Sequence, residues 1–427
     1  MNISPLGLFS KIALLVPSLL FAENWSHWRG PTGNGSSDSA HPPIEWNATK
    51  NVKWKTPIPG QGSGSPVVWE DRVFIVSAVG KEGARGFDGQ NFSELAFNIY
   101  CFDRESGKVR WKRTATTATP HEGTHSTNGF ASASPCTDGK HLYAHFGSRG
   151  LYCYTMEGEL VWKRDDLGKM ETRRGFGEGS SPTLEGNKIL VPWDHEGPSA
   201  LFALNKLTGK TIWKTDRDEP SAWSTPHVVE YDGKKQVILN GENCIRGYDL
   251  ESGKELWRYN GDSSRPVATA VSVDGVTIVG GGRRTKFFGA FHLDGKGDLK
   301  GTKHLAWSWE KNIPDIASPL LSGKRLYFHN KKSAQLSCVE PLSGKAHYTA
   351  GKIPGLSTLY ASPIAAGGHV YITGRSGTTV VIKDSEKLEI VATNSLEEGV
   401  DTTPAAVGNE LFIRSEKHLF CLASESE

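Results

Sequence analysis

The sequence predicts an all-β fold: an eight-bladed β-propeller of four-stranded blades, its ring closed by an N-terminal strand pairing in the C-terminal blade. Three observations predict it. The first is a repeated hairpin. Asp249-Leu-Glu-Ser-Gly253-Lys-Glu-Leu-Trp257 reads as a strand end, a tight turn started by Asp249 and closed by Gly253, and a return strand ending on Trp. It recurs as Asp103 to Trp111 and Asn205 to Trp213, in a shorter form as Met156 to Trp162, and with Tyr in place of Trp as Glu340 to Tyr348. Several copies in register mean a repeat protein. The second observation is a Ser-Pro or Thr-Pro opening before a short apolar strand, at Ser65, Ser134, Ser181, Thr225, Ser318, Ser362 and Thr403, with a degenerate copy near Arg265-Pro266-Val-Ala-Thr269. The third is that the unit opening at Thr403 has three strands before the chain ends, whereas Val52-Lys-Trp54-Lys-Thr56 is a closing strand with no unit before it. Pairing the two completes an eighth blade and leaves no open edge.

Within each unit the elements follow in order. Pro stands at the first strand, where a missing N–H does no harm. A turn follows, as at Asp138-Gly139 or Gly408-Asn409, then a second strand such as Val73 to Val76 or Leu411 to Ile413. The third strand carries a small position, filled by Cys101, Cys153, Cys338 and Cys421 and elsewhere by Ala203 or Gly247, which reads as a tight buried slot. Copies of one slot in separate blades lie too far apart to bond, so free thiols are expected. The fourth strand ends on a structural docking residue, Trp54, Trp111, Trp162, Trp213 or Trp257. A unit of roughly 40–50 residues is the size of one propeller blade.

Composition narrows the function classes. The 427 residues carry 49 basic against 47 acidic side chains, a balance that argues against a dedicated nucleic-acid binder. Residues 1–22 read as a signal peptide: Lys11, an apolar run from Ile12 to Phe21, and Ala22 as the cleavage point. No later run is long and apolar enough for a membrane helix. The expected organisation is a signal peptide (1–22), an irregular segment (23–45) whose Trp25 and Trp28 cover apolar surface, and the propeller (46–427). Periplasmic or secreted placement follows, with no lipid-attachment Cys after the apolar run.

The repeat Asp/Asn-x-x-Ser/Thr-Gly-Lys-x-x-Trp resembles the tryptophan-docking motif of the PQQ-like β-propeller repeat family, which holds quinoprotein dehydrogenases and the non-enzymatic outer-membrane assembly factor BamB. The resemblance covers nearly all of the chain after about residue 46. Enzymes of that family bind PQQ with a vicinal Cys pair, a calcium ion and a catalytic Asp. No two of the six cysteines here are adjacent, and neither the calcium ligands nor that Asp can be placed. The resemblance therefore implies a non-catalytic, BamB-like scaffold with no cofactor. A quinoprotein-type oxidoreductase with PQQ and calcium in the central funnel is the alternative, and an enzyme on acidic polysaccharide is a third reading. A monomer is expected, with an envelope or extracellular protein, or an anionic ligand, as partner.

His121-Glu122-Gly123-Thr124-His125 matches a zinc-protease pattern that needs a helix. Pro120 and Gly123 make it a loop instead, so no metal site is expected. Loops before each inner strand and between second and third strands share one mouth of a propeller. They should bring together His121, His125, Arg173, Arg174, Trp223, Arg265, Asp315, Tyr360 and Asp401 as ligand- or partner-binding residues, with Arg149, Arg283, Arg284, Lys286, Lys331, Lys332 and Arg375 nearby. Taken singly, each is a solvated loop tip; the aggregate is what points to a site, and Arg content favours acidic partners.

Overall fold

The computed structural model describes residues 24–80, 93–261 and 263–424; the expected signal peptide lies outside them. Eight separate sheets carry the chain, each a meander of four strands, two of them with a fifth short strand added at an edge. The first blade runs Val67–Trp69, Arg72–Gly80, Leu95–Asp103 and Val109–Ala118. The last runs Ala405–Val407, Glu410–Arg414 and His418–Ala423, and Val52–Pro57 is its fourth strand, with Trp54 opposite Cys421. The ring closes as the two chain ends predict.

The turn chemistry explains the hairpin motif. The Asp103 carboxylate accepts from the amide and hydroxyl of Ser106, and Asp249 does the same with Ser252. Gly107 and Gly253 sit at φ 67° and 72°. At both, a Cβ would also strike the tryptophan of the neighbouring blade. Trp54, Trp111, Trp162 and Trp213 each donate the indole N–H to a carbonyl in the next blade's turn, at 2.8 to 3.0 Å. Trp257 does not follow the docking pattern of the other four. Its indole donates to Gln236 within its own blade, and its ring packs 5.5 Å from Phe291. The fifth blade has no tight turn to receive it; there the chain makes a longer excursion whose Gly297–Asp298 strand pairs with the outer strand of the fourth blade. Trp307, in that fifth blade, does dock, donating to Pro341.

The small position faces the docking ring across the third and fourth strands: Cys101 opposite Trp111, Cys153 opposite Trp162, Gly247 opposite Trp257. The seventh blade inverts the sizes, with Val381 opposite Ala392. All six cysteines are unpaired.

The Ser/Thr of each opening has a role beyond introducing Pro. Its hydroxyl accepts the amide N–H of the preceding blade's opening residue. The bonds run Ser65 to Ser134, Ser181, Thr225, Thr269, Ser318, Ser362, Thr403 and back to Ser65, all between 2.9 and 3.2 Å. Eight bonds form a closed belt around the axis. In the degenerate unit the opening residue is Thr269, followed by Ala270; Thr supplies the hydroxyl the belt needs.

The N-terminal segment is irregular, but it does more than cover surface. It winds around the base of the ring. Trp25 pairs with Val68, Ser26 accepts from Thr137, Asn34 bonds Ser272 both ways and accepts from Leu321, Gly35 accepts from Ala365, and His41 donates to Gly408. Arg29 lies at its centre, 1% exposed, donating to Pro319 and Pro363 at 2.6 and 2.9 Å. Burial lowers its pKa to about 9. Trp28 is part of the floor of the central funnel.

Candidate functional site

The funnel on the ring axis encloses about 270 Å3 and is lined by residues from all eight blades. Six of the nine residues expected at the mouth line it: His125, Trp223, Arg265, Asp315, Tyr360 and Asp401. Arg283 and Lys332, from loops between second and third strands, join them. His121, Arg173 and Arg174 do not. His121 bonds the Met170 carbonyl through Nε2 at 2.7 Å, and Arg173 is held by Glu196 and Glu242. Arg149 is also withdrawn from the mouth, buried against Glu178 at 2.8 Å.

Local structure explains what remains free. The Arg265 backbone N–H donates to Glu242, the carboxylate that also takes Arg173, and Arg265 adopts a left-handed φ of 55°. A non-glycine residue in that region stores strain, which persists only where its surroundings fix it. The guanidinium lies 5.2 Å over the Phe176 ring and makes no ion pair with any described residue. Burial lowers its pKa, and so do Arg283, Arg174, Arg173 and Arg284 around it. Desolvation likewise lowers His125, assisted by Lys332, Arg283, Arg265 and Arg375. These shifts record a site crowded with positive charge.

A polar chain crosses the opposite wall. His125 Nδ1 lies 2.9 Å from the Thr127 hydroxyl, which donates to the Tyr360 hydroxyl at 3.2 Å; Lys332 Nζ donates to the same oxygen at 3.4 Å. Arg375 lies 4.3 Å over the Tyr360 ring and grips Asp401 through two bonds of 2.6 and 2.9 Å. Asp401 is therefore spoken for. Asp315 is not: 6% exposed, it accepts no hydrogen bond from a described residue, and burial raises its pKa against the pull of Lys332 and Arg283. The Trp223 indole is fixed by donating to the Gly177 carbonyl at 2.7 Å.

Sequence reasoning missed Trp28 and Phe176. Nothing local marks either. Trp28 reaches the funnel only because the N-terminal segment folds under the ring.

The His-Glu-x-x-His stretch is a loop, and its two histidines part: His125 faces the funnel, His121 points away from it. Among the described residues, His121, Glu122 and Glu178 form one group with metal-ligand atoms within 4.8 Å of one another. Its carboxylates are already engaged, Glu122 by Thr172 and Glu178 by Ser148 and Arg149. Calcium-assisted PQQ binding does not fit the funnel. No cysteine among the described residues lines it, and its two carboxylates face Lys332, Arg283 and Arg375, charges that repel a divalent cation.

Comparison with known proteins gives both branches of one fold. BamB from Moraxella catarrhalis superposes with a TM-score of 0.57 at 12% identity, covering 86% of this chain and 98% of that one. A europium-containing methanol dehydrogenase superposes with a TM-score of 0.65 at 10% identity, covering 94% and 98%. Likeness at such identity shows the fold alone. Polyvinylalcohol dehydrogenase of a Pseudomonas species is 24% identical over 253 residues, 48% of this chain and 35% of the relative, so the chain spans about a third of that relative's length. Residues 96–350 match the family described as outer membrane protein assembly factor BamB. Since that match takes in more than half of the 427 residues, the chain belongs to this family of PQQ-like β-propellers.

Proposed function

We propose that this protein is an exported, non-catalytic propeller that binds a small anionic ligand in its central funnel and presents the surrounding mouth to an envelope or extracellular protein. One observation carries the reading. Arg265, Arg283, Lys332 and His125 converge on one cavity, and among its described lining residues Asp315 is the unpaired carboxylate. A concave site with low-dielectric walls focuses a positive field and favours an anion, which guanidinium groups can hold with two parallel bonds. The same reading takes residues 1–22 as the export leader, 23–45 as the segment that winds around the base, and 46–427 as the ring. No helix among the described residues is long and apolar enough to cross a membrane. The matched family's description as an outer membrane protein assembly factor supports a protein-partner role for the fold.

The second reading, a quinoprotein-type oxidoreductase, draws on the relatives named as dehydrogenases. One titration addresses both. Citrate should quench tryptophan fluorescence through Trp28 and Trp223, less so as salt rises. Arg265→Ala/Arg283→Ala should weaken that binding at least tenfold with the melting temperature held. No quenching, or an unaffected double variant, defeats the anion reading. Tight PQQ binding that requires calcium would establish the second.

A further inference from the structure

We infer that the ligand of the funnel is a hydroxylated carboxylate of the sugar-acid type, its carboxylate held by Arg265 and Arg283 and its hydroxyls by Asp315. The inference rests on the anion reading above and adds the ligand's other half.

Asp315 is the starting point. It is 6% exposed and lines the funnel, yet none of its carboxylate oxygens accepts a hydrogen bond from a described residue. With no protein donor at hand, any donor to this carboxylate must come from the funnel itself. Every other carboxylate near the mouth has its donors: Asp401 has Arg375, Glu178 has Ser148 and Arg149, and Glu242 has Arg173. Asp315 is aimed at the space a ligand would fill.

A simple anion would satisfy Arg265 and Arg283 but meet Asp315 as a like charge. A ligand that also carries donors answers both. The donor could be an ammonium or a hydroxyl. The charges that act on Asp315 are those of Lys332, Arg283, Lys331 and Arg265, all positive, so an ammonium placed there would be opposed by each of them. A hydroxyl gives the hydrogen bond without that repulsion.

Two further features fit a ring bearing several hydroxyls. Ser65, Ser134, Ser181, Thr225, Ser362 and Thr403 line the narrow end of the funnel. Each accepts a neighbouring blade's amide, so its O–H is left to donate to a ligand oxygen. The Trp223 indole, locked by its bond to Gly177, and the Tyr360 ring, with Arg375 and Lys332 against it, also line the funnel and add apolar surface beside these hydroxyls.

The test compares three probes by calorimetry on the whole chain: D-glucuronate, cyclohexanecarboxylate, which keeps the ring and the charge without hydroxyls, and D-glucose, which keeps the hydroxyls without the charge. Glucuronate should bind at least tenfold more tightly than either. Asp315→Ala should erase the preference over cyclohexanecarboxylate, and should raise affinity for cyclohexanecarboxylate because a like charge has gone. Asp315→Asn, which keeps the shape, repeats the test if the alanine variant does not fold. Equal binding of glucuronate and cyclohexanecarboxylate overturns the inference and leaves the anion reading standing. A preference that survives both substitutions overturns it as well, and so does glucose binding as tightly as glucuronate. If no carboxylate binds at all, both readings fall.

Discussion

Two arcs of the ring differ. From the last blade through the third, each tryptophan docks on the next blade's turn: Trp54 on the turn of Gly107, Trp111 on that of Gly158, Trp162 on that of Gly209, Trp213 on that of Gly253. From the fourth blade through the seventh the rule holds at Trp307 of the fifth, which donates to Pro341, and lapses in the other three. Trp257 turns inward to Gln236, the sixth blade has Tyr348 with an unpartnered hydroxyl, and the seventh has Ala392. The second arc supplies Arg265, Arg283, Asp315, Lys332, Tyr360 and Arg375. Chemistry gathers where the repeat is least regular. A stack of blades is a sum of nearest-neighbour interfaces, so loss of one docking contact is local and the rest of the ring can carry it. The hydroxyl belt shows no such lapse, because it runs unbroken through all eight blades.

The tryptophans should separate the two arcs most strongly. Trp111→Ala removes a ring 9% exposed together with its bond to Met156, and should lower stability by about 3–5 kcal/mol in urea unfolding. Tyr348→Ala should cost clearly less, and Tyr348→Phe should change little, since its hydroxyl has no partner. Equal costs for Trp111→Ala and Tyr348→Ala would mean that docking does not distinguish the arcs.

The belt gives the converse expectation. Ser134→Ala in the regular arc and Ser318→Ala in the other each orphan a buried N–H, of Ser65 and Thr269 respectively. Each should cost about 1–3 kcal/mol, and the two should agree. A large difference would show that the belt, too, is uneven.

A third effect is a pH slope. Burial holds His27 at about 3 and His227 and His329 at about 4, all below the 6.5 of an exposed imidazole. The folded state therefore binds fewer protons than the unfolded chain between those values. Stability present above about pH 6.5 should fall as the pH drops towards 4, by at most about 1.4 kcal/mol per pH unit for each histidine. His329→Phe should remove one share of that slope. Thermal melts between pH 7 and 4.5 measure both; an unchanged slope would place the acid sensitivity elsewhere.

The sequence alone determined the ring. Turn chemistry such as Asp103 with Ser106 and Gly107 is local, and it recurs at a fixed spacing, so the blade count and the pairing of Val52–Pro57 with the last blade could be read without coordinates. The small slot was legible for the same reason, since Cys101, Ala203 and Gly247 occupy one repeat position. The tertiary structure decided the rest. Whether an arginine at the mouth is free depends on which carboxylate lies across the loop from it. Glu242 takes Arg173 but leaves the guanidinium of Arg265 open, and Arg375 consumes Asp401, whereas Asp315 is left bare. No repeat encodes those partners, because each comes from a different loop. The place of Trp28 in the funnel was equally hidden: the segment has no periodicity, and its bonds go to backbone groups of blades as far along the chain as Gly408. Local patterns specify strands and turns; a site made by converging loops is specified only by the ring that brings them together.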